Sequence, residues 1–141
     1  MNPDLTISTL RDKGFRITYI RKQIIVIFSR VKKPLSARDI YTNLISKKIN
    51  VNRTTVYREL EFLVNQNYLN PVYIKPQEIS YEAANLVHHH HLICEVCGKV
   101  DNITNCLADN FERDVFRKKR FKIKKHTLEF YGVCAKCLKK V

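Results

Sequence analysis

Residues 53–67 read RTTVYRELEFLVNQN, and the spacing of their apolar side chains decides how the N-terminal half is read. Val56, Leu60, Leu63 and Val64 fall on one stripe of a helix, which leaves Arg53, Thr54, Tyr57 and Arg58 towards its exposed N-terminal end. A helix that enters the major groove of DNA needs polar and basic side chains at that end, with a preceding helix braced against it. Upstream, Thr18 suits an N-cap for a helix carrying Ile20, Ile24, Ile27 and Phe28 and running to about Arg30. Pro34 then interrupts, and Ser36 caps a second helix with Ile40, Leu44 and Ile45, up to Lys48. Periodicity alone would also fit an ordinary amphipathic core helix over 53–67, so the order of elements and the charge must separate the two readings.

Downstream, Tyr68 to Tyr73 and Glu78 to Ala84 are β-prone, and Ile74-Lys75-Pro76-Gln77 between them suits a turn. This hairpin reads as the wing of a winged helix-turn-helix. The charge agrees: the chain carries a formal net charge of +13, of which residues 1–58 hold +10, whereas residues 59–85 hold −3. A front-loaded positive charge is the footprint of a phosphate-binding surface.

A chain of 141 residues holds one ordinary core or two small ones, which argues against a large multi-layer enzyme. Its 45% hydrophobic and 28% charged content, with three Gly and four Pro, describes a folded chain. No apolar run approaches the roughly 20 residues that span a bilayer, and Met1 to Leu10 lacks the layout of a secretory signal, so a cytoplasmic location without membrane partners is expected. Five cysteines in a reducing compartment read as metal ligands or redox groups rather than a disulfide framework.

The pattern changes at Leu86. We read residues 1–85 as the winged-helix domain and 86–141 as a small α/β metal-binding domain, an α+β chain overall. Cys94-x-x-Cys97 and Cys134-x-x-Cys137 form two CxxC pairs, a combination suited to four-thiolate tetrahedral zinc, and Gly98 eases the first turn. Redox-active dithiols are the competing reading. Cys106 stands outside this set and reads as a small buried hydrophobe on a helix from about Thr104 to Lys118. His88 to His91 abut the first knuckle; in an extended segment His88 and His90 face one way, His89 and His91 the other, so two metal sites could share the run. Surface histidines without a ligand are the bland alternative.

Taken in order, Thr18-Tyr-Ile-Arg21, Ser36-Ala37, Thr54-Thr55-Val56-Tyr57-Arg58, the histidine run, Cys94-x-x-Cys97-Gly98-Lys99-Val100, His126, Tyr131-Gly132-Val133-Cys134 and Cys137 resemble the ferric uptake regulator family over nearly the whole chain. The resemblance implies a homodimer whose winged helices read an inverted repeat in double-stranded DNA, with metal loading favouring the DNA-competent form. Tyr57 would approach bases, Arg58 and Arg21 phosphates or base edges, and Thr18, Arg53, Thr54 and Thr55 complete the DNA-facing set. The family's sensor-domain site falls on His88, His90, Asp109 and His126. Its hinge-side site falls on Glu82, His89 and His91, but Pro34 stands where a histidine is usual and Asn102 where a carboxylate is usual, with Asp101 one residue away as a substitute. Structural zinc and a regulatory iron or zinc, with manganese a further option, are the implied cofactors. Iron-responsive repression comes first, zinc-responsive repression second and oxidative-stress regulation of the peroxide type third.

Two other classes compete. A zinc hydrolase would need an open coordination position and a general base such as Glu82, Glu95 or Glu129, and no HExxH spacing supports it. A metal storage or chaperone protein would leave the DNA-reading head without a purpose. No small organic substrate is expected. The basic run Arg117, Lys118, Lys119, Arg120, Lys122, Lys124 and Lys125 reads as a solvated helix end and strand edge, or as an auxiliary nucleic-acid contact.

Overall fold

The computed structural model describes every residue from Met1 to Lys139 except Pro76, Asn105, Leu107 and Lys125, and only the backbone of Lys75 and Asp109. Four helices open it, each started by a side-chain cap: α1 (Pro3–Asp12) by Asn2, α2 (Tyr19–Arg30) by Thr18, α3 (Ala37–Ser46) by Ser36 and α4 (Arg53–Asn65) by Asn52. Ser36 makes a full capping box: its hydroxyl accepts from the Asp39 amide, and the Asp39 carboxylate accepts from the Ser36 amide at 2.9 Å. Three of the helices close alike. Gly14, Lys48 and Asn67 take left-handed backbone at φ 81°, 59° and 59°, and the next residue in each case bonds back across the last turn, as Tyr68 N–H does to the Leu63 carbonyl at 2.9 Å. This closure satisfies carbonyls that a helix end would otherwise strand.

The expected caps at Thr18 and Ser36 are present, and α2, α3 and α4 lie where the apolar spacing places them, with ends two residues earlier for α3 and α4. α1 was not anticipated, although Asn2 as N-cap, Pro3 in the first turn and Asp4 after it are a helix-start signal. Ile24, Ile27, Phe28, Ile40, Leu44, Val56, Leu60 and Leu63 are buried in one core together with Leu10 and Leu69, whereas Ile45, read as a core position, is 43% exposed. A three-stranded antiparallel sheet follows, in the order β1-β3-β2, from β1 (Leu35–Ser36), β2 (Leu69–Lys75) and β3 (Glu78–Ala83). β1 is two residues long, too short for any periodicity, and pairs Leu35 with Tyr81. β2 continues to Lys75 through an irregularity after Val72, so the turn is tighter than the four residues expected; Pro76 of that turn lies outside the described residues.

The chain divides into two units, Met1–Leu86 and Val87–Val141. In the second, β4 (His90–Cys94) is central, with β5 (Val100–Ile103) antiparallel on one side and β6 (Glu129–Gly132) parallel on the other. The parallel pair requires a crossover, which α5 (Ala108–Lys119) supplies, and α6 (Ala135–Leu138) ends the described fold. Two expectations need correction. The helix begins at Ala108, not near Thr104, so Cys106 precedes it and is not buried on it. It ends at Lys119, and Phe121 to Lys124 form no strand, so the basic run has no strand edge among the described residues; Lys125 lies outside them. No described helix is long and apolar enough to cross a membrane.

One polar contact ties α2 to α4. The Arg21 guanidinium donates to Glu59 Oε2 at 2.7 Å and to the Arg16 carbonyl at 2.6 Å, and lies 3.6 Å from the centre of the Phe62 ring. Both partners are nearly buried, at 12% and 10% side-chain exposure. Removing one ion of such a pair strands the other, a loss of about 3 kcal/mol or more, whereas replacing both by apolar groups is far less costly. Arg21→Ala is therefore expected to lower stability by about 3 kcal/mol in urea unfolding, and the double change Arg21→Met with Glu59→Leu to recover most of it.

Candidate metal centres and nucleic-acid surface

Two residues of the expected DNA-contacting set, Thr18 and Arg21, take part in the brace. Thr18 caps α2 and also donates to Glu59 Oε1 at 3.1 Å, and Arg21 donates from Nε to Glu59 and from Nη1 to the Arg16 carbonyl. Both residues thus brace α2 against α4 from inside the unit. Glu59, which sequence reasoning passed over, is the residue that holds them. The first turns of α4 keep the remaining set available: Arg53, Thr54, Tyr57 and Arg58 are exposed and Thr55 is half-buried, above a buried Val56 and Leu60. Arg53 lies 5.5 Å over the Tyr41 ring. With Arg38, Tyr57 and Tyr81 these residues line a cleft of about 580 Å³ between α3, α4 and β3. The surface therefore offers cationic and aromatic groups at a helix N-terminus, the chemistry that phosphates and base edges meet.

In the second unit the two CxxC pairs converge. Cys94 ends β4, Cys97 follows on a turn closed by Gly98 N–H to the Cys94 carbonyl at 2.8 Å, and Cys134 and Cys137 sit at the start and within α6. Gly98 has φ 69°, a left-handed conformation that glycine adopts without strain. The four Sγ atoms lie within 4.8 Å of one another, and Cys97 and Cys134 are 3.7 Å apart. Four sulfurs about 2.3 Å from a tetrahedral zinc would sit about 3.8 Å apart, so the donors fit that ion. Amide groups of Cys134 and Cys97 pull the Cys94 thiol down to about 6, while hydrogen bonding to Cys134 pushes Cys137 up to about 12. Zinc binding at this cluster would release the protons that its thiols hold.

The expected sensor-domain histidines His88, His90 and His126 also converge, and they meet a group that the sequence did not announce, Cys106. His88 Nε2 and His90 Nε2 are 3.2 Å apart, His90 Nε2 and Cys106 Sγ 3.4 Å, Cys106 Sγ and His126 Nε2 3.3 Å, and His126 Nε2 and His88 Nε2 3.0 Å. The carboxylate of Glu112 on α5 accepts from His126 Nδ1 at 2.7 Å, which leaves Nε2 as the lone-pair nitrogen. Burial, then the neighbouring His88 and His126, lower the His90 pKa and keep that ring neutral, as ligation requires. The side chain of Asp109, expected as the carboxylate of this site, lies outside the described residues. No local spacing announces Cys106 or Glu112: the first is a lone cysteine and the second one acid on a charged helix.

The alternation expected of the histidine run is present: His89 and His91 face each other with ring centres 5.0 Å apart, separately from His88 and His90. His89 Nδ1 donates to the Val87 carbonyl at 2.7 Å, and His91 is buried. Glu82 is buried on β3 of the first unit. Asp101 is not a substitute ligand beside His91. Asn102 is the residue paired with His91, so Asp101 points to the other face of the sheet, paired with Leu92 and held by Lys99 at 2.7 Å. That ammonium holds the Asp101 carboxyl below its usual range.

A winged helix with a basic reading face, joined to a thiolate-stapled unit with further ligand groups, defines a metal-responsive transcription regulator. The ferric uptake regulator family matches residues 12–131, and the chain belongs to that family. The ferric uptake regulation protein of Bacillus subtilis is 32% identical over 134 residues, covering 91% of this chain and 89% of that protein. The solved Helicobacter pylori ferric uptake regulator, 24% identical, has a TM-score of 0.83 over 96% of this chain and 90% of that one. A zinc uptake regulator solved with zinc and DNA has a TM-score of 0.66 at 22% identity, covering 98% and 93% of the two chains.

Because Glu112 orients His126, Glu112→Gln is expected to weaken metal binding at the histidine cluster by roughly 10- to 100-fold. It should leave the metal of the four-cysteine cluster in place. Competition titration against a chromogenic chelator, with elemental analysis of the retained ion, checks both.

Proposed function

We propose that this protein is a metal-dependent repressor that binds an inverted-repeat operator as a homodimer and controls metal uptake or homeostasis genes. The observation that carries the reading is the exposed Arg53, Thr54, Tyr57 and Arg58 face at the start of α4, on the part of the chain that holds a net +10 over residues 1–58. Thr55 joins them at its edge. The related fold solved with zinc and DNA supports duplex DNA as the partner. The protein acts by binding, without an enzymatic step, in the cytoplasm.

The four cysteines hold structural zinc. The sensor-domain ligands are drawn from His88, His90, His126 and Asp109, and Glu82, His89 and His91 carry hinge-side ligand chemistry. Pro34 has no side-chain donor for the hinge set, which weakens it. The ferric uptake regulation relatives make iron the first signal to test, zinc the second and peroxide-type regulation the third. Dimerisation is supported by an apolar strip on the second sheet, where Leu92 and Phe130 are paired neighbours at 39% and 40% exposure.

Selection from a duplex library with the metal-loaded protein is expected to return an inverted repeat. Arg58→Ala should then reduce the slope of log affinity against log salt by about 0.9 per chain, while Tyr57→Ala should lower discrimination between operator and random DNA by about 1–3 kcal/mol. Equal binding of all duplexes, with or without metal, would contradict the reading.

A further inference from the structure

We propose that Cys106 is a metal ligand, and that it closes the histidine cluster into a three-histidine, one-thiolate site for a zinc-class ion. The proposal rests on the metal-responsive reading above and specifies what this site takes. It departs from the carboxylate-bearing ligand set that the family resemblance implies.

The argument begins with how the four donors meet. His88 Nε2 lies 3.2 Å from His90 Nε2 and 3.0 Å from His126 Nε2, and the Cys106 sulfur lies 3.4 Å from His90 Nε2 and 3.3 Å from His126 Nε2. All four ligand atoms fall within 4.8 Å of one another. With Glu112 occupying His126 Nδ1, the His126 lone pair points inward. Lone pairs crowded in this way repel unless a proton or a cation sits among them, and a thiolate adds negative charge to the same point. A divalent cation resolves the crowding; one proton serves only one pair.

The donor set then selects the ion. Three neutral imidazoles and one thiolate form a borderline-soft set that suits zinc, whereas iron(II) and manganese(II) in regulatory sites favour carboxylates. Glu112, the carboxylate in contact among the described residues, is engaged with the outer nitrogen of His126 and so supports a ligand instead of acting as one. Four protein ligands complete a tetrahedral site and leave no position for a substrate, which suits a sensor. The ion would join three separate segments, at His88 and His90, at Cys106 just before α5, and at His126 just before β6. Loading therefore orders the crossover of this unit, and an iron signal would have to act through other donors.

The test uses the full chain with zinc kept in the four-cysteine cluster, to which cobalt(II) is then added. The expected spectrum has intense visible bands of four-coordinate cobalt and a near-ultraviolet sulfur-to-cobalt band. Cys106→Ala should remove the sulfur band and lower affinity by more than the roughly 10- to 100-fold typical of an outer-shell change; Asp109→Asn should retain the band. Thiol labelling with mass mapping is the independent readout. In the one-zinc protein Cys106 is expected to label, and a second equivalent of zinc to protect it.

Weak six-coordinate cobalt bands, an unchanged spectrum in Cys106→Ala, or labelling of Cys106 in the fully loaded protein would each overturn the assignment, as would failure of any second ion to bind. If the cobalt spectrum appears but no operator is bound, the regulator reading fails and the site stands. If DNA binding depends on metal while Cys106 remains labelled, the site assignment fails and the regulator reading stands.

Discussion

The second unit depends on four thiolates because its own apolar interior is so small. Among the described residues of Val87–Val141, the buried apolar side chains are Ile93, Cys94 and Cys137, and two of these three belong to the cluster itself. Phe111, Phe116, Phe121, Phe130 and Tyr131 are substantially exposed. So few contacts cannot offset the conformational entropy of ordering the segment, and small folds in this position use a metal as the staple. The geometry shows where the staple acts: Cys94 and Cys97 sit between β4 and β5, Cys134 and Cys137 at the exit from β6. One ion thus locks both neighbours of the central strand, and that strand carries His90 and His91.

The first unit solves the same problem conventionally. A continuous core from Ile7 to Tyr81 supports it, and capped helix ends satisfy the backbone groups that packing alone would strand. Its polar economy is more particular. Arg21 and Glu59 hold α2 against α4, and the side chains of the reading face take positions that follow from that brace. A basic residue near a DNA-reading helix is thereby a scaffold element in one case, Arg21, and a surface element in another, Arg58. Exposure separates the two where charge does not.

Much of this was legible in the sequence wherever a signal was local. The caps at Thr18 and Ser36, the stripe of α4, the hairpin and the paired CxxC motifs each depend on residues within a turn or two of one another, and each lies where the spacing indicates. The alternation of His88 to His91 is equally local and pairs the rings as a strand should. What escaped was set by long-range packing. Cys106 meets His90 and His126 across the crossover, Glu59 meets Arg21 between helices, and β1 exists because Leu35 finds Tyr81. Asp101 failed as a ligand for a reason of phase: one residue along a strand is the opposite face.

The central claim is that a metal bound by four thiolates supplies the order of the second unit while the first unit stands on its core. Amide NMR spectra of the isotopically labelled chain, recorded with one equivalent of zinc and again after full chelation under reducing conditions, test it most directly. The account predicts that dispersed signals from residues 87–139 collapse towards random-coil positions on chelation, that those from residues 1–86 persist, and that zinc restores the original spectrum. Dispersed signals from Cys94, Ile93 and Tyr131 surviving complete zinc removal would contradict it.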